Sequence, residues 1–140
     1  MRVVRRPILP KELNYELLWL GVSAAALPAA AVWLWLGLPW LGCPFRAVTG
    51  YPCLTCGATR CAIAFLHGNL SLAWSWNPLA FLALGGVALF DLYAAGVLLT
   101  RGPRLRVIDW TSAEKNAVRI AVIVLIAVNW AYLLAHRSQF

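Results

Sequence analysis

Residues 78–99 read PLAFLALGGVALFDLYAAGVLL, an apolar run able to cross the roughly 30 Å hydrocarbon layer of a bilayer, which takes about 20 residues of helix. Two further segments, approximately Leu17 to Leu41 and Ala117 to Leu134, have the same character. With 62% hydrophobic and 12% charged residues, the chain departs far from the roughly 45–50% apolar and about 25% charged composition of soluble domains. These observations predict an all-α membrane protein with three transmembrane helices. Internal repeats, low-complexity tracts and a separable soluble domain are absent from the sequence, so residues 1–140 are expected to form a single small integral membrane domain.

The first apolar run far exceeds the roughly 7–15 residues of a signal h-region. It is expected to persist as an anchor. Trp19, Trp33, Trp35 and Trp40 gather toward its ends, and Trp130 and Tyr132 close the third run. Amphipathic rings favour the membrane–water interface.

Basic residues near span ends set orientation, because Lys and Arg are retained on the cytoplasmic side. Arg2, Arg5, Arg6 and Lys11 precede the first span, and Arg101, Arg104, Arg106, Lys115 and Arg119 surround the connection between the second and third. Only Arg46, Arg60 and Arg137 lie on the alternate side. The expectation is an N-terminus inside, with the first connection and the C-terminus outside. The net charge of +7 is then a topology signal accompanied by attraction to anionic membrane lipids. Nucleic acid is not an expected partner, because the basic residues flank spans.

The connection 42–77 holds CPFRAVTGYPCLTCGATR at residues 43–60, followed directly by Cys61. All four cysteines of the chain are thus in one loop. Gly42, Pro44, Gly50, Pro52 and Gly57 predict turns over its first half. Ala58 to about Leu66 reads as a short helix capped near Thr55 and Gly57 and ended by His67-Gly68-Asn69. That helix is too short to cross and should be interfacial or re-entrant. Leu70 to Trp76 reads as an apolar, Trp-rich turn before Asn77-Pro78, where proline suits the first turn of the next span.

The pattern Cys-Pro-Phe-x-x-x-Thr-Gly-x-Pro-Cys-x-x-Cys-Gly-x-Thr-Arg, with His-Gly-Asn at 67–69 and Asn-Pro-Leu at 77–79, resembles the bacterial membrane-protein family catalogued as domain of unknown function 2752. The resemblance covers roughly residues 42–82. It carries over Cys43, Pro44, Thr49, Gly50, Pro52, Cys53, Cys56, Gly57, Thr59, Arg60, Asn77 and Pro78, whereas Cys61 falls outside the pattern. It implies a multi-pass protein of a bacterial inner membrane whose Cys loop, with the charge asymmetry above, is extracytoplasmic. It implies no particular activity and no cofactor.

Cys53-x-x-Cys56 sets two sulfurs at a spacing that suits a redox-active disulfide or two ligands of one metal ion. In an oxidising compartment oxidation is the default, and the expectation is a structural disulfide from Cys43 to Cys53 or Cys56. A metal centre would draw on Cys43, Cys53, Cys56 and Cys61, since His67 is the loop's lone imidazole and the segment has no carboxylate. No βαβ pattern of a thioredoxin-like enzyme surrounds the motif. Arg60, in the first turn of the short helix, either braces the loop or captures an anionic headgroup with Gly57 and Thr59. The first is expected, because a cation at a helix N-terminus opposes the dipole.

Asp91 lies inside the second span, where an ionised carboxylate costs at least a few kcal/mol. It should face the bundle, be protonated or have a partner, for which Asn129 of the third span is a candidate. The expectation that follows is a non-catalytic membrane module. Its Cys-stabilised outer loop would bind a partner membrane protein, a second copy of the chain, or lipid. The alternative is a membrane thiol-redox or metal-binding protein using Cys43, Cys53 and Cys56.

Overall fold

The computed structural model describes residues 2–6, 12–36, 43–100, 102–109 and 111–139. In chain order the elements are β1 (Arg2–Arg6), α1 (Tyr15–Trp35), α2 (Pro44–Thr49), α3 (Ala58–Leu66), α4 (Leu70–Trp76), α5 (Pro78–Thr100), β2 (Arg104–Asp109) and α6 (Ser112–Ala135). A 3₁₀ turn at Arg137–Gln139 follows.

Helices α1, α5 and α6 are the three long apolar helices read from the sequence. Each leaves large aliphatic side chains uncovered around its circumference, among them Leu17, Leu27, Leu89, Leu92, Ile120 and Ile123. A helix apolar on all sides is at home in lipid, where its own i→i−4 bonds satisfy the backbone. Pro28 sits inside α1, which membrane helices tolerate better than soluble ones. The expected continuation of the first span through Trp40 to Leu41, and Gly42 after it, lies outside the described residues.

Contacts divide the chain into two compact units, Met1–Trp40 with Val87–Lys115, and Leu41–Gly86 with Asn116–Phe140. In the first unit β1 pairs antiparallel with β2, Val4 opposite Arg106, with an irregularity between Arg2 and Val3. The sequence reading contained no strand, so this two-stranded ladder is an addition to the helical bundle. It joins the N-terminal segment to the connection after α5, the two stretches richest in basic residues. Arg104, at the start of β2, donates from Nη1 to Asn14 Oδ1 at 2.7 Å and pairs with Glu16 Oε2 at 3.3 Å. Glu16 is buried in the first turn of α1, where the helix dipole favours an acid. Tyr93 Oη accepts from the Leu105 N–H at 2.9 Å. Asp91 belongs to this unit too, and among the described residues its Oδ1 is buried with no hydrogen-bond partner.

The second unit holds the cysteine loop, and two of its stretches differ from the turns expected. Residues 44–49 form α2 because Pro44 occupies N1, where its missing N–H costs nothing. Residues 70–76 form α4 because the Asn69 side chain accepts from the Leu72 N–H at 3.2 Å, capping the helix. Helix α3 has the expected bounds, but its N-cap is Gly57 with no side-chain cap. The Thr55 hydroxyl contacts the Cys53 sulfur instead. Cys61, Ala64 and Ala73 form a buried seam between α3 and α4. Small side chains let the two short helices approach. Phe81 of α5 packs edge-on against Phe65 at 5.7 Å and Trp74 at 5.5 Å, seating this helical pair on the span that follows.

Candidate thiol site

Cys43 precedes α2 in an extended conformation, and α2 returns the chain toward it. Gly50, with φ +74°, ends α2 through a bond from its N–H to the Arg46 carbonyl at 2.9 Å. A left-handed residue of this kind is glycine's role. Pro52 then enters the site buried, its carbonyl accepting from Trp130 Nε1 of α6 at 3.2 Å. The Cys-x-x-Cys segment closes as a tight turn, with the Cys56 N–H bonded to the Cys53 carbonyl at 3.1 Å and the Ala58 N–H to the Thr55 carbonyl at 3.0 Å. Gly57 at φ +77° redirects the chain into α3.

Folding brings three sulfurs together. The Cys43 thiol donates to Cys53 Sγ at 3.1 Å, and Cys53 and Cys56 Sγ lie 3.6 Å apart. The Cys53 N–H points at Cys56 Sγ at 3.2 Å, and Thr55 Oγ1 stands 3.3 Å from Cys53 Sγ. All four cysteines are free thiols. The expected bridge from Cys43 to Cys53 or Cys56 is therefore not formed, since a disulfide sets its sulfurs about 2.05 Å apart. The four-sulfur metal set is not assembled either. Cys61 lies on the inner face of α3 and its thiol donates to the Asn77 carbonyl at 3.7 Å.

Cys53 and Cys56 differ in acidity. Partial burial raises Cys53, but hydrogen bonds to its sulfur from the Thr55 hydroxyl, the Cys43 thiol, the Thr55 amide and the Cys56 thiol outweigh it and bring the group down to about 7. Burial, reinforced by the adjacent Cys53, pushes Cys56 up to about 11 against the favourable Cys53 N–H. Burial raises Cys61 as well. Cys53 thus carries a substantial thiolate fraction at neutral pH, whereas Cys56 does not.

Two cavities meet at Cys53 and Phe45. One, about 570 Å³, is of mixed polarity and takes in Cys43, Cys56, Thr55, Thr59, Arg46 and Arg60. The other, about 500 Å³, is wholly apolar and runs along Leu54, Ile123, Ile126, Ala127 and Trp130. The Arg60 guanidinium lies 4.6 Å from the Trp76 ring centroid, a cation–π contact that ties α3 to α4.

Asn77 and Asn129 anchor this loop. Buried Asn77 donates from Nδ2 to the Cys56 and Leu54 carbonyls, while its Oδ1 accepts from the Ala80 N–H at 3.0 Å. Pro78 beside it opens α5. Asn129, considered as a partner for Asp91, instead accepts from the Leu79 N–H at 3.0 Å and donates to the Leu54 carbonyl at 3.5 Å. Tyr132 Oη donates to the Ser75 carbonyl at 3.0 Å. The sequence reading placed Trp130 and Tyr132 at the interface and gave Arg46 and Thr55 no part in a site. The signal available for the α6 clamp was the run Asn129-Trp130-x-Tyr132, three hydrogen-bonding side chains within one turn near a span end.

Fold and site together define a polytopic membrane protein whose first outer or inner connection is folded into short helices around a thiol cluster. Residues 43–90 match the model of a family described as a protein of unknown function, DUF2752. This match spans the loop and the first part of α5, and it bears out the resemblance read from the Cys-Pro-Phe and Cys-x-x-Cys-Gly residues. No curated protein and no solved structure matches the chain.

Proposed function

We propose that the chain is a membrane-bound thiol–disulfide exchange centre in which Cys53 attacks and Cys43 resolves. The observation that carries this reading is the position of Cys53 Sγ, 3.1 Å from Cys43 Sγ and 3.6 Å from Cys56 Sγ, with all three thiols free. The expectation of a non-catalytic loop gave these sulfurs only a structural bridge. Three adjacent free thiols, with Cys53 more acidic than Cys56, favour chemistry.

The Cys53 thiolate attacks one sulfur of a disulfide on a second molecule, forming a mixed disulfide and expelling the other half as a thiolate that takes up a proton. Cys43, giving up its proton, then attacks Cys53 Sγ. The bound half leaves as a thiol, a Cys43–Cys53 disulfide remains, and two electrons have passed to the substrate. Cys43 suits the resolving step because it is nearest, while Cys56 holds its proton at neutral pH. The disulfide expected from the sequence is then the oxidised state of the centre. We put the loop on the extracytoplasmic face of a bacterial inner membrane, supported by the nine-to-three division of basic residues.

The test is intact mass and alkylation mapping of the purified protein across a glutathione redox series. A reversible Cys43–Cys53 disulfide is expected, and Cys43→Ser should trap the mixed disulfide on Cys53. Failure of the pair to oxidise, or oxidation only between Cys53 and Cys56, overturns the assignment.

A second reading has its own observation. The three sulfurs lie within 4.8 Å of one another, and a tetrahedral zinc ion with bonds of about 2.3 Å holds its sulfurs about 3.8 Å apart. Cys43, Cys53 and Cys56 could therefore supply three ligands of a soft metal ion. Stoichiometric metal that blocks alkylation of all three would favour this over exchange.

A further inference from the structure

Exchange with a disulfide leaves the apolar cavity at Cys53 unused. That cavity lies along one face of α6, where Ile123, Ile126, Ala127 and Trp130 recur at helical spacing, and Phe45 and Leu54 of the thiol loop wall its other side. From Trp130, near the end of α6, to Ile123 at the middle of the helix, the helical rise carries it about 10 Å. Helix α6 is among the helices long and apolar enough to cross a membrane, and Ile123 is 64% exposed, so the cavity opens toward whatever surrounds the span. Hydrocarbon surrounds a span. A membrane-dissolved molecule therefore has a wholly apolar track that ends at Cys53.

At the end of that track the Cys53 and Cys43 sulfurs lie 3.1 Å apart, which narrows the chemistry. On joining as a disulfide, two thiols release two electrons and two protons, and a quinone takes up the same on becoming a hydroquinone. Acyl transfer from a lipid ester would need one thiol only. At about 500 Å³ the cavity lies within the roughly 300–1,000 Å³ that small-molecule sites span. Resting on the reading of Cys53 and Cys43 as a working pair, we propose that the cavity takes a lipid-soluble quinone, its ring at Cys53 and its apolar tail along α6, and that this quinone oxidises the pair. The Cys53 thiolate bonds to a ring carbon, and the displaced electron pair settles on one quinone oxygen, which takes a proton from water. The cavity of mixed polarity that Cys53 also lines gives water its access. Cys43 then gives up its proton and attacks Cys53 Sγ. The carbon–sulfur bond breaks, its electron pair passes through the ring to the second oxygen, and that oxygen takes the proton. Hydroquinone leaves and the Cys43–Cys53 disulfide remains. Exchange is reversible, so this disulfide is discharged onto a thiol pair of a second molecule.

The experiment uses the reduced full chain in neutral detergent without oxygen, and compares decylubiquinone with its parent ring lacking the tail. Quinone consumption is read by ultraviolet absorbance and the Cys43–Cys53 disulfide by mass mapping after acid quench. Each rate is divided by that of a free dithiol, dihydrolipoamide, with the same quinone in the same detergent. Quinone consumed should equal disulfide formed. The normalised rate with decylubiquinone should exceed that with the bare ring by about tenfold, because the seated tail holds the ring at the sulfur. Ala127→Trp puts an indole into the cavity from an exposed position of α6 and should bring the two quinones to similar rates. Oxidation by glutathione disulfide, which needs no apolar track, should stay as in the unaltered chain. A variant that merely loosens the fold would change the glutathione reaction too.

Equal normalised rates for the two quinones in the unaltered chain, or a tail preference untouched by Ala127→Trp, overturn the inference. A quinone left bonded to Cys53 with no hydroquinone released does the same. In each case oxidation of the pair by glutathione disulfide keeps the exchange reading intact. A pair that neither quinone nor glutathione disulfide oxidises overturns the underlying reading instead. An acyl group on Cys53 after incubation with phosphatidylglycerol, with no oxidation by quinone, would assign the cavity to a lipid ester and sink the proposal.

Discussion

Asn77 Nδ2 donates to the Cys56 carbonyl at 2.9 Å, and through that bond the first residue before α5 fixes the second cysteine of the thiol turn. The same amide donates to the Leu54 carbonyl at 3.2 Å, and Oδ1 receives the Ala80 N–H. One carboxamide thus caps a span and sets the shape of the Cys-x-x-Cys segment. Its near-complete burial, at 1% exposure, means that water cannot replace any of these bonds.

Asn77→Ala should therefore strand the buried Cys56 carbonyl and the Ala80 N–H, while the Leu54 carbonyl keeps the Asn129 amide, lowering stability by on the order of 2–3 kcal/mol given the cost of unsatisfied buried groups. Thermal melting in neutral detergent measures the loss, and alkylation of Cys56 should accelerate as the turn loosens. A melting point like that of the unaltered protein would mean that this amide is not what holds the turn.

Alkylation should separate the cysteines by pH. Cys53, brought down to about 7, gains thiolate as pH rises through 7, so its iodoacetamide rate should climb with that midpoint and level off above it. Cys56, pushed up to about 11, should still be accelerating at the alkaline end. Thr55→Val removes the hydroxyl beside Cys53 Sγ and should move the Cys53 midpoint upward. Peptide mapping with isotopic reagents reads both, and indistinguishable profiles for the two thiols would refute the assignment.

What the sequence disclosed and what it hid follow from the range of the interactions. Helix α3 was legible to the residue because local punctuation, Gly57 before it and His67-Gly68-Asn69 after it, decides its ends. Helices α2 and α4 were not, since proline, glycine and serine density reads as turn until a cap is seen to form. The ladder joins β1 at Arg2–Arg6 to β2 at Arg104–Asp109, segments far apart in the sequence, and no local pattern encodes such a pairing. Cys53 and Cys56 were visible as a motif and Cys43 was expected beside them as a disulfide partner, whereas the route that brings it there, the return made by α2, was not. Asn129 was noticed as polar within a span, but its bond to the Leu79 N–H crosses 50 positions and only the packed helices reveal it.

Topology can be checked with a membrane-impermeant thiol reagent on a variant lacking native cysteines. A cysteine at exposed Ser71 of α4 should label on intact cells, and one at exposed Thr111, just before α6, only after lysis. These positions fall on opposite sides of the membrane if the basic asymmetry governs insertion. Labelling of Thr111→Cys on intact cells would reverse the orientation.

The Glu16–Arg104 pair yields the last prediction. Glu16 is 2% exposed, and Arg104 reaches both its carboxylate and Asn14, so the start of α1 and the start of β2 share one charged junction. Removing a single partner from a buried pair typically costs about 3–5 kcal/mol, while replacing both with apolar residues of similar volume is often near neutral. Glu16→Leu alone and Arg104→Met alone should each lower the melting point strongly, and the double variant should recover much of what either loses. The recovery is the informative quantity, because it separates coupling between the two residues from the packing that each provides. Losses that simply add in the double variant would show that the two side chains stabilise the junction independently.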